Sequence, residues 1–165
     1  MDIFSPEENA RAFRSALGSF STGVTIVTTQ SKDGPIGITA NSFSSLSLNP
    51  ALVMWAPAKQ SSRYEAFINA EFFAIHVLTY EQKFVCDAFA KSKNKFEHCD
   101  YLLNEYNIPI INDCLSVFEC KKHKIHDAGD HSIIIGEVLR ARQKPGNALI
   151  FSQGSFISAS AFQPD

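Results

Sequence analysis

Ten serine and threonine hydroxyls crowd two runs, residues 21–29 and 37–50, whose remaining residues are those of buried strand. A hydroxyl buried without a partner costs about 1–3 kcal/mol, so each of these groups needs a hydrogen bond. Two partners are open to them. Hydroxyls can pair across neighbouring strands, or they can face a flat polar ligand such as an isoalloxazine ring. Backbone N–H groups, aided by Thr39, Asn41 and Ser42, could then bond the ring's polar edge, with aliphatic residues over its apolar end. On the residues alone both readings stand.

Ser61-Ser62-Arg63 is a second candidate. At a helix start it would offer exposed N–H groups, two hydroxyls and a guanidinium to a phosphate, with Lys59 adding positive potential. The alternative is an ordinary helix cap with a solvent-facing arginine. Gly129-Asp130-His131 is the third. Glycine permits positive φ, and the aspartate can brace a turn or the imidazole, fixing His131 toward a nicotinamide carboxamide or a pyrophosphate. A lone histidine in a tight turn can equally be structural.

Other chemistries lack their signatures. There is no G-x-G-x-x-G, Walker loop, G-x-S-x-G or H-E-x-x-H motif. His123 and His126 stand three apart, and on a strand they point to opposite faces; His98 and Cys99, adjacent, also diverge, so no metal site is expected.

The elements that must position these residues are mostly strands. Ser5-Pro6-Glu7-Glu8 has the form of a capping box for a first helix with Phe13, Ala16, Leu17 and Phe20 on its apolar face and Gly18 near its end. Residues 24–29, 36–40, 43–48 and 52–56 read as strands, with Asp33-Gly34 the tip of a hairpin. Ser62–Glu65 and Thr79–Gln82 are two further capping boxes. The first opens a helix burying Tyr64, Phe67 and Ile68; the second opens one whose inner face is Phe84, Val85, Ala88 and Phe89. Between the helices 72–78 is a strand. Residues 91–113 read as a long loop with some helix. Two long strands, 115–125 and 132–142, flank a compact turn at 126–131, and two short ones, 148–151 and 155–159, close the chain. Many strands with antiparallel turns and few helices favour a closed or partly closed β-barrel.

The 165 residues suit one domain over 1–165 with a real core. A net charge of −2 gives no nucleic-acid footprint, and the basic runs at 91–95 and 121–124 read as solvated faces. No signal peptide and no stretch long enough to span a bilayer is apparent. Four cysteines without a CxxC pair read as reduced thiols, so a cytoplasmic location is expected.

Taken in order, Thr22-Gly23-Val24-Thr25-Ile26-Val27-Thr28-Thr29, the run from Gly37 through Thr39-Ala40-Asn41-Ser42 to Asn49-Pro50, Ser61-Ser62, Phe72-Phe73-Ala74-Ile75-His76-Val77-Leu78, Glu81-Gln82, Phe89-Ala90 and Gly129-Asp130-His131 resemble the flavin reductase-like family. These are split-barrel reductases that supply reduced flavin to two-component monooxygenases, and the likeness runs from Phe13 to Phe156. It implies a mainly β, FMN-binding split β-barrel with Greek-key-like antiparallel strands and a few flanking helices, assembled as a homodimer. It implies reduction of FMN, or alternatively FAD, by NADH or NADPH, with a flavin-dependent monooxygenase as partner and neither nucleic acid nor membrane involved. It places Gly23, Val24, Thr25, Thr39, Ala40, Asn41 and Ser42 by the isoalloxazine. Ser44, Ser45, Ser61, Ser62 and Arg63 fall by the ribityl phosphate, and His131 at the nicotinamide. The alternatives are a reductase of a ferric or cobalt complex with fixed flavin, or a non-catalytic flavin- or haem-binding module. Two positions depart from the family pattern: His76 stands where asparagine is common, and Phe156 follows Gly154 where tyrosine is common.

Overall fold

A computed structural model of the chain describes residues 3–92 and 95–159. Part of the basic run at 91–95 (Lys93, Asn94) and the two ends of the expected 1–165 domain lie outside the described residues.

The chain runs α1 (Ala10–Gly18), β1 (Thr22–Gly23), β2 (Thr25–Ser31), β3 (Gly34–Ala40), β4 (Ser44–Leu48), β5 (Ala51–Trp55), α2 (Tyr64–Asn69), β6 (Phe72–Val77), a 3-10 turn (Tyr80–Gln82), and α3 (Lys83–Lys91). A second 3-10 turn (Phe96–His98) leads to β7 (Tyr101–Leu103), β8 (Pro109–Ile111), β9 (Ser116–Ala128), β10 (His131–Gln143), β11 (Ala148–Ser152) and β12 (Ser155–Ala159). The fold is mainly β, and its named strand pairs are antiparallel. A seven-stranded sheet has the order β3-β2-β6-β9-β10-β5-β4, a three-stranded sheet the order β1-β11-β12, and β7 pairs with β8.

The long sheet curls on itself. Ile36 of β3 and Val53 and Trp55 of β5 lie near opposite ends of the strand order, yet they share one core with Val27, Phe73, Ile75, Cys120 and Ile134. Phe67 of α2 plugs that core, meeting Trp55 edge-on at 4.9 Å. The alternate residues of the same strands, Ile26 and Ala74 among them, face a second core built with α3, β8 and Leu149 of β11. Thr25 through Thr29 are therefore all buried, because β2 is covered on both faces.

Three expectations are corrected. The first helix begins at Ala10, not Pro6, because Asn9 caps it: its Oδ1 accepts from Ala12 N at 2.9 Å, and residues 6–8 form a turn. The Ser62–Glu65 box does not form; Arg63 occupies the N-cap position of α2 with no side-chain cap. Phe84, expected on the inner face of α3, is 60% exposed, and Cys86 takes the inward place beside Val85 and Phe89. By contrast the box at Thr79 and Gln82 is complete, and it caps the 3-10 turn that leads into α3. Residues 91–113, read as loop, also hold the β7–β8 hairpin.

Candidate functional site

The hydroxyls of the two runs have a third kind of partner. Thr25 Oγ1 donates to Ala40 O at 2.7 Å, Thr28 to Pro109 O at 2.6 Å, Thr29 to Phe72 O at 2.8 Å and Thr39 to Cys86 O at 2.8 Å. Ser42 Oγ donates to Ala56 O and accepts from Ala56 N. These strand hydroxyls are thus satisfied by backbone groups and are not free donors, while Ser21 Oγ pairs with the Ser152 hydroxyl at 2.7 Å. One exception stands out: Thr22 Oγ1 is buried and has no hydrogen-bond partner.

Two adjoining cavities flank the end of β3. A groove of about 510 Å³ lies between residues 20–23 and 41–44 and holds Thr22, Gly23, Asn41, Ser42 and Ser44. A smaller cavity of about 180 Å³ is lined by Val24, Thr39, Ala40 and Asn41 with Phe151 and Phe156. Asn41 borders both. Residues expected at one ligand from both runs, some twenty positions apart, are therefore brought together, and the β11–β12 hairpin supplies an aromatic wall. Val24 is fixed there by N–H donation to Leu149 O and by accepting from Leu78 N. Phe151 and Phe156 are a cross-strand pair with ring centroids 5.2 Å apart. Phe20, Thr22, Phe43 and Phe151 were not among the expected residues. A phenylalanine in a strand reads as core, and only the pairing of β11 with β1 turns Phe151 toward this cavity.

Other expected residues are placed differently. Ser45 lies on β4, an edge strand, paired with Val53. Ser62 borders a separate cavity beside the β2–β3 turn. Arg63 is buried: its guanidinium donates to Phe89 O at 2.6 Å, Gly37 O at 3.3 Å and Ala90 O at 3.5 Å. Burial lowers its pKa, and three carbonyls occupy the donors. The guanidinium is thus directed into the protein rather than toward solvent, and α2, with six residues, offers no anion-binding helix end.

His131 opens β10 beside the two-residue turn Gly129-Asp130, where Gly129 has φ +66°. Its Nδ1 bonds Asp130 Oδ1 at 2.7 Å, a contact that lowers the Asp130 carboxyl pKa. Lys59 braces the turn through Asp127 and the Gly129 carbonyl. His131 lines neither cavity, but it is linked to them: Ser42 is bonded to Ala56, and two residues on, Ala58 bridges to His131. A further cavity, about 720 Å³ between the start of α3 and residues 144–147, contains none of the expected residues.

The flavin reductase like domain model matches residues 17–160. The chain is 51% identical over 149 residues to the FMN reductase (NADH) SmoA of Agrobacterium fabrum, covering 90% of this chain and 86% of that protein. It is 41% identical over 157 residues to the reductase component of the flavin-dependent trigonelline monooxygenase of Acinetobacter baylyi. That match covers 94% of this chain but about half (51%) of the longer relative. Among solved structures, an NADH:FAD oxidoreductase of Streptomyces globisporus in complex with NAD and FAD fragments superposes with a TM-score of 0.91 at 33% identity, covering all of both chains.

Proposed function

The chain belongs to the flavin reductase-like family, and on that premise we propose that it is an NADH-dependent reductase of FMN, with FAD as the alternative flavin, supplying reduced flavin to a partner monooxygenase. The observation that carries the reading is the pair of cavities meeting at Asn41, lined between them by Thr39–Ser42 and by the aromatic residues Phe151 and Phe156. A planar ring with polar and apolar edges fits that lining. Arg63 does not fit the phosphate arm, so Ser44 on the groove is the polar side chain proposed for that end.

A bound flavin supplies N5 as the acceptor of hydride from C4 of the nicotinamide, and no protein nucleophile is required. The chain's own residues then have three tasks. Thr39–Ser42 present backbone groups to the ring edge, Phe151 and Phe156 exclude water from its apolar side, and His131, held by Asp130, orients the nicotinamide nucleotide.

Two further parts of the reading rest on surface and thiols. The apolar residues of α1 and of the bend after it are uncovered, with Phe13 42%, Leu17 59% and Phe20 79% exposed, which supports a homodimer closing over the groove that Phe20 borders. All four cysteines are free, in keeping with a reducing cytoplasmic setting. No described helix is long and apolar enough to cross a membrane. The two cores share β2, β6 and β9, in keeping with one domain.

Oxidation of NADH and NADPH, each with FMN and with FAD, tests the proposal. Flavin-dependent NADH oxidation is expected, and none with either flavin sinks it. His131→Ala should raise KM for NADH about tenfold or more while FMN affinity stays within twofold; equal loss of both would make His131 a turn brace only.

A further inference from the structure

The aromatic wall of the smaller cavity is itself held by a charge. Lys83, the first residue of α3, places Nζ 5.1 Å from the centroid of the Phe156 ring and 2.7 Å from Asp87 Oδ2. Lys83 is half-exposed and Phe156 partly buried, a setting in which an ammonium is attracted to the electron-rich phenyl face. The start of α3 and the β11–β12 hairpin are already tied, since Thr79 bridges to Ala148 and Tyr80 N donates to Asn147 O at 2.9 Å. The Lys83–Phe156 contact extends that tie out to the ring that lines the cavity. Without it, Phe156 keeps only Phe151, at a tilted 58°, as a ring partner.

We propose that Phe156 is the stacking wall for the flavin's isoalloxazine and that Lys83 is a positioning residue, holding the Phe156 ring in place rather than touching the flavin. This rests on the flavin reading above. It has a consequence that a direct phosphate contact by Lys83 would not share. Ligands with the same ring and different side chains must feel the loss of Lys83 alike, because its effect travels through the ring wall. Lys83 also bonds Asp87 at i+4, which orients its ammonium beside the ring.

The test measures FMN and riboflavin binding by quenching of flavin fluorescence, on the full chain and three variants. Lys83→Met should weaken both ligands about threefold, and Lys83→Arg, which keeps a cation over the ring, should restore both. Phe156→Leu should weaken both about tenfold. KM for FMN should rise in the same ratios, with kcat held in Lys83→Met. Loss for FMN but not riboflavin in Lys83→Met would show a direct phosphate contact and overturn the proposal. So would unchanged affinity in either Lys83→Met or Phe156→Leu. If the unaltered chain binds neither FMN, FAD nor riboflavin, the flavin reading itself falls, and the proposal with it.

Discussion

Two buried side chains show how residue chemistry constrains this molecule. Arg63 stitches β3 to the end of α3 by donating to Gly37, Phe89 and Ala90 carbonyls. Arg63→Met would remove this donor from the buried Gly37 and Phe89 carbonyls and cost about 2 kcal/mol, read as a lowered denaturation midpoint, with FMN affinity within twofold at temperatures where the variant is folded. A large loss of FMN affinity over riboflavin affinity would return Arg63 to the phosphate. His76 is fully buried, its Nδ1 bonded to Ile26 O at 3.0 Å and its Nε2 accepting from Ile111 N at 3.1 Å. That second bond requires a neutral ring. Burial is the main cause that lowers its pKa from 6.5 to about 4, opposed by the Ile26 carbonyl and Glu119 and reinforced by Arg142. Because the folded pKa lies below the unfolded one, the unfolded chain binds more protons between pH 6.5 and 4. Stability is therefore full above pH 6.5 and falls toward pH 4, by roughly 3 kcal/mol for this group. Urea midpoints across that range should show the slope, and His76→Leu should flatten it while lowering stability at pH 7 by about 1–3 kcal/mol.

At the scale of elements, strands and helices approach one another where glycine allows it. A Cβ on Gly136 would lie 2.5 Å from Phe73 Cζ and 3.0 Å from Cys120 Cβ, and one on Gly37 2.5 Å from the Phe89 ring. Gly136 sits at the irregular step in the β9–β10 ladder, where β10 crosses the barrel core. Gly136→Ala should cost about 1–3 kcal/mol by overpacking, measured as a lower thermal midpoint. A neutral result would mean that Phe73 yields freely. Helix boundaries were the least legible elements. The sequence of Ser5 to Glu8 has the letters of a capping box, but Asn9 competes for the same helix start and wins with its own bond to Ala12 N. The box at Thr79 forms because β6 ends just before it and points the chain into the turn.

At the scale of the whole molecule, the exposed stripe of α1 is the strongest sign of a larger assembly. A homodimer through this face should be broken by Leu17→Glu, since an unpaired carboxylate buried at an interface costs several kcal/mol. Light scattering should report a dimer for the unaltered chain and a monomer for the variant. A variant that stays dimeric would move the interface elsewhere, and an unaltered chain that is monomeric would end the homodimer reading.

The sequence by itself determined the mainly β class, most of the strands and the family. Those follow from local periodicity, turn residues and motif order, all carried by neighbours along the chain. It also drew attention to residues 39–44, because hydroxyls and an asparagine after a buried strand are conspicuous. Only the tertiary structure decided what those hydroxyls bond. Thr28 reaches a carbonyl 81 positions away and Thr39 one 47 positions away, and no local pattern encodes such partners. It also decided that Arg63 is a buried clamp and that Phe151 and Phe156 wall the cavity, since both roles depend on which distant strand or helix folds against them.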